Sequence, residues 1–395
     1  MRWSALAAIG SALLAQQAHA VPHILLYTRT AGYRHESIPT AVDTITGIGN
    51  GTLRVPSGSL DASIADLRWQ ATATSDQAAF RNATYLAQFD AIAFIMTTDI
   101  DPPGAGTVLD DEGIRNFATY IQNGGGYVGI HSASATLFGA PFYGRLVGAY
   151  FDYHPQIQSV SLKPVATDHP STSKLPGNFD IQEEVYNFRS DPRKLPSPAN
   201  VLITNASNYQ DPGVNPQGFR NGTNGPAPHP LAWYREGRLL DTDGSTDASV
   251  RGGGGANVDP SGGPGRSWYT SLGHDRATWQ QDFFRGHIAG GVGWVLQSST
   301  VKSNNATALV GQPGPSSSGG GGASAEASST GGSASSSGGA GATSRSASGP
   351  APSGSSSGDT NNAASPASPH SALSRMLLPV AFIYIVIFGA PVALL

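Results

Sequence analysis

Cysteine is absent from this chain of 395 residues. That removes every thiol nucleophile, every thiolate metal site and every disulfide. A folded part spanning residues 21–300 is large enough to bury a core without such staples. Excess positive charge is missing too. With 23 basic and 27 acidic residues the net charge is -4, which gives no sign of nucleic-acid binding. The glycine-rich run 252–265 is not a phosphate-cradling loop, because no strand precedes it, no helix follows it and no lysine closes it. Within residues 21–300 no His-x-x-x-His pair fixes a metal-ligand spacing.

What is present begins with an address. Residues 1–20 carry Arg2, an apolar run over 5–14 and the exit Ala18-His19-Ala20, the pattern of a secretory signal cut before Val21. Residues 311–369 are almost entirely Ser, Gly, Ala, Pro and Thr, a composition that cannot offset its own ordering entropy and is expected to form a disordered, O-glycosylated stalk. Residues 376–395 are apolar. They are long enough to span a bilayer, but no basic flank follows them, and a glycolipid-anchor signal fits better. Small residues at Asn362-Ala363-Ala364 suit the attachment site, with Gly358 as a second choice, and 365–375 supply the polar spacer. The expected location is the extracellular cell surface, bound to membrane or cell wall through the anchor. Five Asn-x-Ser/Thr acceptors, at Asn50, Asn82, Asn205, Asn221 and Asn305, fit a secreted glycoprotein.

Between these ends the hydrophobic pattern alternates strand and helix. HILLYT (23–28) and FDAIAFIM (89–96) read as buried strands, and 66–74 as a weaker one. A helix is expected to start at Ser37-Ile38-Pro39, with Ser37 as its cap. Residues 110–123 form an amphipathic helix with Ile114, Phe117, Ala118 and Ile121 on one face, closed by Gly124. Tyr127, Val128 and Ile130 follow as a central strand that stops at His131. This order predicts an α/β fold with a helix-flanked, mostly parallel sheet. In such sheets ligands bind beyond the carboxyl ends of the strands, so His35, Asp99 and His131 are expected to be neighbours. Further on, 181–188 (IQEEVYNF) reads as a strand, 228–234 and 238–240 suggest a hairpin, 267–272 a strand ending at Gly273-His274, and 283–296 a closing helix weakened by its glycines.

Histidine takes and gives protons near neutrality. Of the ten present, His35, His131, His154, His169 and His274 each lie in a loop or just past a strand. A loop histidine is often only a structural hydrogen-bond partner, but His131 and His274 each follow a strand at a glycine turn. Adjacent acids on a strand face opposite ways. Glu184 shares its side with Gln182 and Tyr186, whereas Glu183 shares with Val185; the Glu184 side is the more polar, so Glu184 is chosen as the acid or base, the alternative being a solvated strand end. Tyr33, Tyr150 and Trp233 are candidates to stack on a sugar face, and Trp233 equally suits the core. Arg34 could bind a substrate hydroxyl or carboxylate, or lie along the surface.

TAGYRH (30–35), GGGYVGIHSAS (124–134), the Gly-x-x-x-Asp-x-His-Pro run containing His154, Asp168-His169-Pro170, EEVY (183–186), HPLAWY (229–234) and YTSLGH (269–274) occur in this order. Together they resemble the ThuA-like (trehalose utilisation) family, over about 22–296. The glycine-rich insertion between Arg238 and Ser267 departs from the compact spacing expected there. The resemblance implies a fold similar to class I glutamine amidotransferases, a flavodoxin-like three-layer α/β/α sandwich. In those enzymes a Gly-x-Cys elbow follows a central strand. Here the matching residues are Gly129-Ile130-His131, so glutamine hydrolysis by a thiol is excluded. The resemblance also implies a role in sugar metabolism, with a disaccharide or its keto derivative as substrate.

The resulting expectation is acid/base hydrolysis or isomerisation of a sugar. His131, Glu184 and His274 would be catalytic, and Tyr33, Arg34, His35, Asp99 and His154 would bind substrate. No cofactor is expected. His131, His154, His274 and Glu184 would nevertheless make a nitrogen-and-oxygen set for a divalent metal. The alternative is a non-catalytic module that binds carbohydrate or cell-wall glycan.

Overall fold

The computed structural model describes residues 21–211, 229–240, 265–304 and 310. The signal, stalk and anchor segments, Asn221, Asn305, Asn362 and most of the glycine-rich insertion lie outside the described residues. Among the described residues no helix is long and apolar enough to cross a membrane.

Five strands build the parallel half of the sheet: β1 (His23–Tyr27), β2 (Gln70–Thr74), β3 (Ala91–Ile95), β4 (Gly126–Ile130) and β11 (Arg266–Thr270). The antiparallel extension is made of β6 (Gln158–Pro164), β7 (Phe179–Glu183), β9 (Asn200–Asn205) and β10 (Ala232–Glu236). Their order across the nine-stranded sheet is β2-β1-β3-β4-β11-β10-β9-β6-β7. All of them except β6 and β10 run in one direction. The short strands β5 (Phe151–Tyr153) and β8 (Asn187–Phe188) pair separately.

Helices cover both faces of the sheet. Helices α1 (Ile38–Asn50) and α5 (Asp282–Leu296) pack on one side with Ile24, Leu26, Val128 and Trp268. On the other, α2 (Ala83–Leu86), α3 (Asp111–Gln122) and α4 (Pro141–Val147) pack with Leu25, Tyr27, Phe94 and Tyr269. The alternation along β1 and β11 thus feeds two cores, the three-layer arrangement expected from the sequence. Helix α3 starts where Asp110 accepts from the Gly113 N–H at 2.9 Å, and Asp111 and Glu112 lie at the positive end of its dipole.

Three local expectations need correction. Ser37 does not cap α1; its hydroxyl donates instead to the His274 carbonyl at 2.6 Å, tying the β1–α1 loop to the turn after β11. The strand expected over 181–188 breaks after Glu183 and resumes as β8, because Glu183 turns into the protein to accept backbone N–H groups. Residues 238–240 are not the returning strand of a hairpin. That strand is β11, with Ala232 opposite Thr270 and Tyr234 opposite Trp268, so the insertion lies in the hairpin loop and leaves the register intact.

The glycines of α5 have a packing reason. A Cβ on Gly291 would stand 2.2 Å from the Trp268 ring, and one on Gly290 would stand 2.3 Å from the Pro170 carbonyl oxygen. The helix trades propensity for close approach to the sheet.

Candidate functional site

The parallel half has the strand order at which a chain reverses between β1 and β3, and the carboxyl edge beside such a switch point is a ready cleft. Four turns meet there. His35 follows β1, Asp99 follows β3, His131 follows β4 and His274 follows β11. Glu184 arrives from the end of β7, and His154 from the turn after β5. Tyr33, His35, Asp99, His154, Glu184 and His274 line a pocket of about 650 Å³.

His131 sits on a strained elbow. Its φ of +53° places a non-glycine residue in the left-handed region, which costs of order 1–3 kcal/mol unless the surroundings hold it. They do so from both sides. The Tyr269 hydroxyl donates to the His131 carbonyl at 2.8 Å, and His131 Nδ1 lies 2.6 Å from the Ser271 carbonyl oxygen. A carbonyl only accepts, so Nδ1 carries a hydrogen and Nε2 is the atom turned to the site. Nε2 faces three groups: Tyr186 Oη at 2.9 Å, His35 Nε2 at 3.1 Å and Glu184 Oε2 at 3.6 Å. His131 itself is wholly buried and forms the floor behind His35 rather than the pocket wall.

Glu184 gathers the remaining imidazoles. His274 Nδ1 lies 3.1 Å from Oε2, and His154 Nε2 lies 3.6 Å from Oε1. Burial pushes the Glu184 carboxyl up, but His131, His274 and His154 together outweigh it and hold the group well below the usual carboxylate range. In return the Glu184 carboxylate raises His274 against its partial burial. The contact is ionic in character, because His274 Nδ1 finds no partner with hydrogen-bond alignment. His35 behaves oppositely: burial, then the neighbouring His131 and His274, press it down to about 2, so it is neutral.

Glu183 supports the site from beneath. Only 1% of it is exposed, and Oε2 accepts from the Gly273 N–H at 2.7 Å and the His274 N–H at 3.4 Å. Gly273 adopts a φ of +117°, which an L side chain rarely takes. Burial raises the Glu183 carboxyl, while His131 and the Gly273 and Glu184 N–H groups oppose the rise. His229 adds a further brace, its Nε2 bonding the Tyr186 carbonyl oxygen at 2.9 Å.

A family model described as ThuA, trehalose utilisation, matches residues 23–295. The chain belongs to the ThuA family. Among solved structures, this ThuA chain is similar to a putative ThuA-like protein from Bacteroides uniformis (18% identity, 72% of this chain and 94% of that one, TM-score 0.47). It is also similar to one from Parabacteroides merdae (17% identity, 70% and 90%, TM-score 0.45). A β-galactosidase from Bacillus circulans is a more distant likeness (12% identity, 69% and 30%, TM-score 0.33). A comparison with curated proteins finds no match.

The ThuA domain brings most of the expected residues together, but not all in the expected manner. Arg34 does not line the pocket; its guanidinium donates to the Thr28 carbonyl at 2.9 Å, answering an acceptor just past the end of β1. Asp99 lies at the rim, yet Oδ1 accepts from the Val108 N–H and Oδ2 from the Leu137 N–H, which makes it a brace for the loops. Trp233 is a core residue whose indole donates to the Val147 carbonyl. Tyr150 is also structural, its hydroxyl meeting the Leu137 and Ala140 carbonyl oxygens. His169 lies away from the pocket, buried against Tyr234. Tyr33 remains 65% exposed at the pocket mouth, edge-on to His35. Two participants were not singled out from sequence: Tyr186, and Ser132, whose Oγ lies 3.4 Å from His35 Nδ1. Tyr186 carried a signal, since period-two counting puts it on the side of Glu184. Of the glycosylation acceptors, Asn50 and Asn82 are exposed and Asn205 is half-buried.

Proposed function

We propose that this ThuA protein is an enzyme that transforms a sugar, a disaccharide or its keto derivative, by hydrolysis or isomerisation in the pocket around Glu184. The observation that carries the reading is the convergence of Glu184 with His131, His154 and His274 at 3.1–3.6 Å on the floor of an open pocket. Proton transfer to or from a sugar oxygen or carbon needs a carboxylate and an imidazole within reach of one substrate atom. His274 and Glu184 meet that need from the pocket side, with His131 fixing the carboxylate from behind. Tyr33 offers an aromatic face at the mouth, suited to the apolar face of a pyranose. The family's description, trehalose utilisation, supports a sugar substrate.

The test is a turnover screen of the purified secreted chain on disaccharides and their keto derivatives. Glu184→Gln should lower kcat by about 10²- to 10⁴-fold on any sugar that reacts. Binding of sugars without turnover by the unaltered chain, and unchanged by that substitution, would identify a carbohydrate-binding module instead.

The same proposal places the enzyme outside the cell, held by a glycolipid through Asn362. Residues 1–20, the Ser/Gly-rich run and the apolar tail support this address. Phosphatidylinositol-specific phospholipase C should release the protein from intact cells, and deletion of 376–395 should send it to the medium. Retention after both treatments would refute the anchor.

A further inference from the structure

We propose that His35, His131, Glu184 and His274 form a binding site for one divalent transition-metal ion, zinc being the best match. One ligand atom from each of the four lies within 4.8 Å of all the others. Three separations are known individually: 3.1 Å from His131 Nε2 to His35 Nε2, 3.1 Å from His274 Nδ1 to Glu184 Oε2, and 3.6 Å from His131 Nε2 to that same oxygen. A tetrahedral zinc with bonds of about 2.0–2.1 Å separates its ligands by about 3.3 Å, so these pairs bracket the required edge. His35 stands here in place of His154, whose Nε2 reaches only the other carboxylate oxygen.

Hydrogen bonding alone leaves the cluster poorly satisfied. With Nδ1 of His131 committed to the Ser271 carbonyl, its Nε2 is the ring atom turned to the Glu184 carboxylate. Tyr186 and His35 crowd that same nitrogen. His274 Nδ1 is buried at the atom, lacks an aligned hydrogen-bond partner and faces the same carboxylate oxygen. Three ring nitrogens and one carboxylate oxygen thus converge on one point, an arrangement that a cation there would complete. The Tyr186 hydroxyl can swing about its C–O bond, so Nε2 of His131 is freed as a ligand without moving a heavy atom.

The surroundings supply what ligating histidines need behind them. The Ser271 carbonyl fixes the His131 tautomer, Ser132 stands behind His35 Nδ1, and Glu183 holds the backbone of His274. Three imidazoles and one carboxylate favour a late first-row ion over magnesium or calcium, which prefer all-oxygen shells. The site adjoins the pocket through Glu184 and His274, so a bound ion would act as a Lewis acid there only by taking a substrate oxygen as a fifth ligand. That catalytic consequence rests on the sugar reading; the binding itself does not.

The full secreted chain, stripped with a chelator and dialysed, would be titrated with Zn²⁺ by calorimetry and assayed by elemental analysis. Co²⁺ would be added separately to read the intensity of its visible bands. One equivalent per chain is expected, with tetrahedral-type cobalt absorption. His274→Ala and Glu184→Gln should each weaken zinc binding by more than about 100-fold, given that even outer-shell changes cost 10–100-fold. His154→Ala, outside the set, should leave it within a few-fold. Circular dichroism would establish that each variant is folded, and Glu184→Gln, nearly isosteric, guards against loss by misfolding. No stoichiometric binding to the unaltered chain, or binding indifferent to both substitutions, overturns the proposal. Sugar turnover at full rate in the metal-free chain would sink the ion's catalytic role and spare the enzyme. Metal bound with no sugar transformed would do the reverse.

Discussion

The most direct physical test concerns a histidine remote from the pocket. His287, on α5, is 1% exposed; its Nδ1–H donates to the Ser171 carbonyl at 2.9 Å and its Nε2 lies 3.1 Å from Thr270 Oγ1. Both nitrogens are therefore used by the neutral ring. Trp268 and Phe284 pack around it, and no carboxylate is among its named partners to receive a second proton. Burial depresses it to about 4, against 6.5 in the unfolded chain. The unfolded state thus binds more protons across that interval, so the stabilisation is complete above about pH 6.5 and is lost as pH falls toward 4. Between pH 7 and pH 5 the loss from this one residue is about 2 kcal/mol. His169, pressed down to about 3 chiefly by burial, adds to the same trend. Urea unfolding of the parent and of His287→Gln at several pH values in this window measures it, because Gln keeps one donor and one acceptor and does not titrate. The parent should lose about 2 kcal/mol more than the variant between those limits. Parallel curves for the two proteins would show that His287 already accommodates its proton, and the reasoning would fail.

Other substitutions probe the supports of the site. Glu183→Ala strips the acceptor from the Gly273 and Glu184 N–H groups and should cost about 3 kcal/mol in urea unfolding; a loss below about 1 kcal/mol would mean water replaces the carboxylate. Gly291→Ala gains helix propensity but drives a methyl into the Trp268 ring, so calorimetry should show a net loss of about 2 kcal/mol rather than a higher Tm. Tyr33→Ala should raise KM for a sugar substrate by about 3- to 10-fold with kcat unchanged, the signature of lost ground-state stacking. A fall in kcat with KM constant would move Tyr33 into the chemistry.

Much of the architecture was legible because it rests on local pattern. Beyond His23, the runs that became β1, β3 and β4 are apolar, as strands buried on both faces must be, and α3 announces itself by capping and periodicity. The meeting of His35, Asp99 and His131 followed from topology alone, since parallel strands deliver their following turns to one edge. What failed was decided by long-range partners. Ser37 has the right chemistry for a cap, but a carbonyl 237 positions away claims its hydroxyl. Arg34 was drawn to an open backbone oxygen, and the return strand of β10 was hidden behind the insertion. Tyr186 escaped notice because its value lies in meeting His131, a contact spanning 55 residues.

The hairpin neck has a practical consequence. The described residues stop at Leu240 and resume at Gly265, where the Gly237 N–H donates to the Gly265 carbonyl at 2.8 Å. Strand β11 runs from this neck toward His274, so the opening lies at the end of the sheet opposite the pocket. Closure entropy grows only logarithmically with loop length. A fluorescent reporter or affinity handle grafted between these two points would ride on the molecule without obstructing whatever enters the cleft.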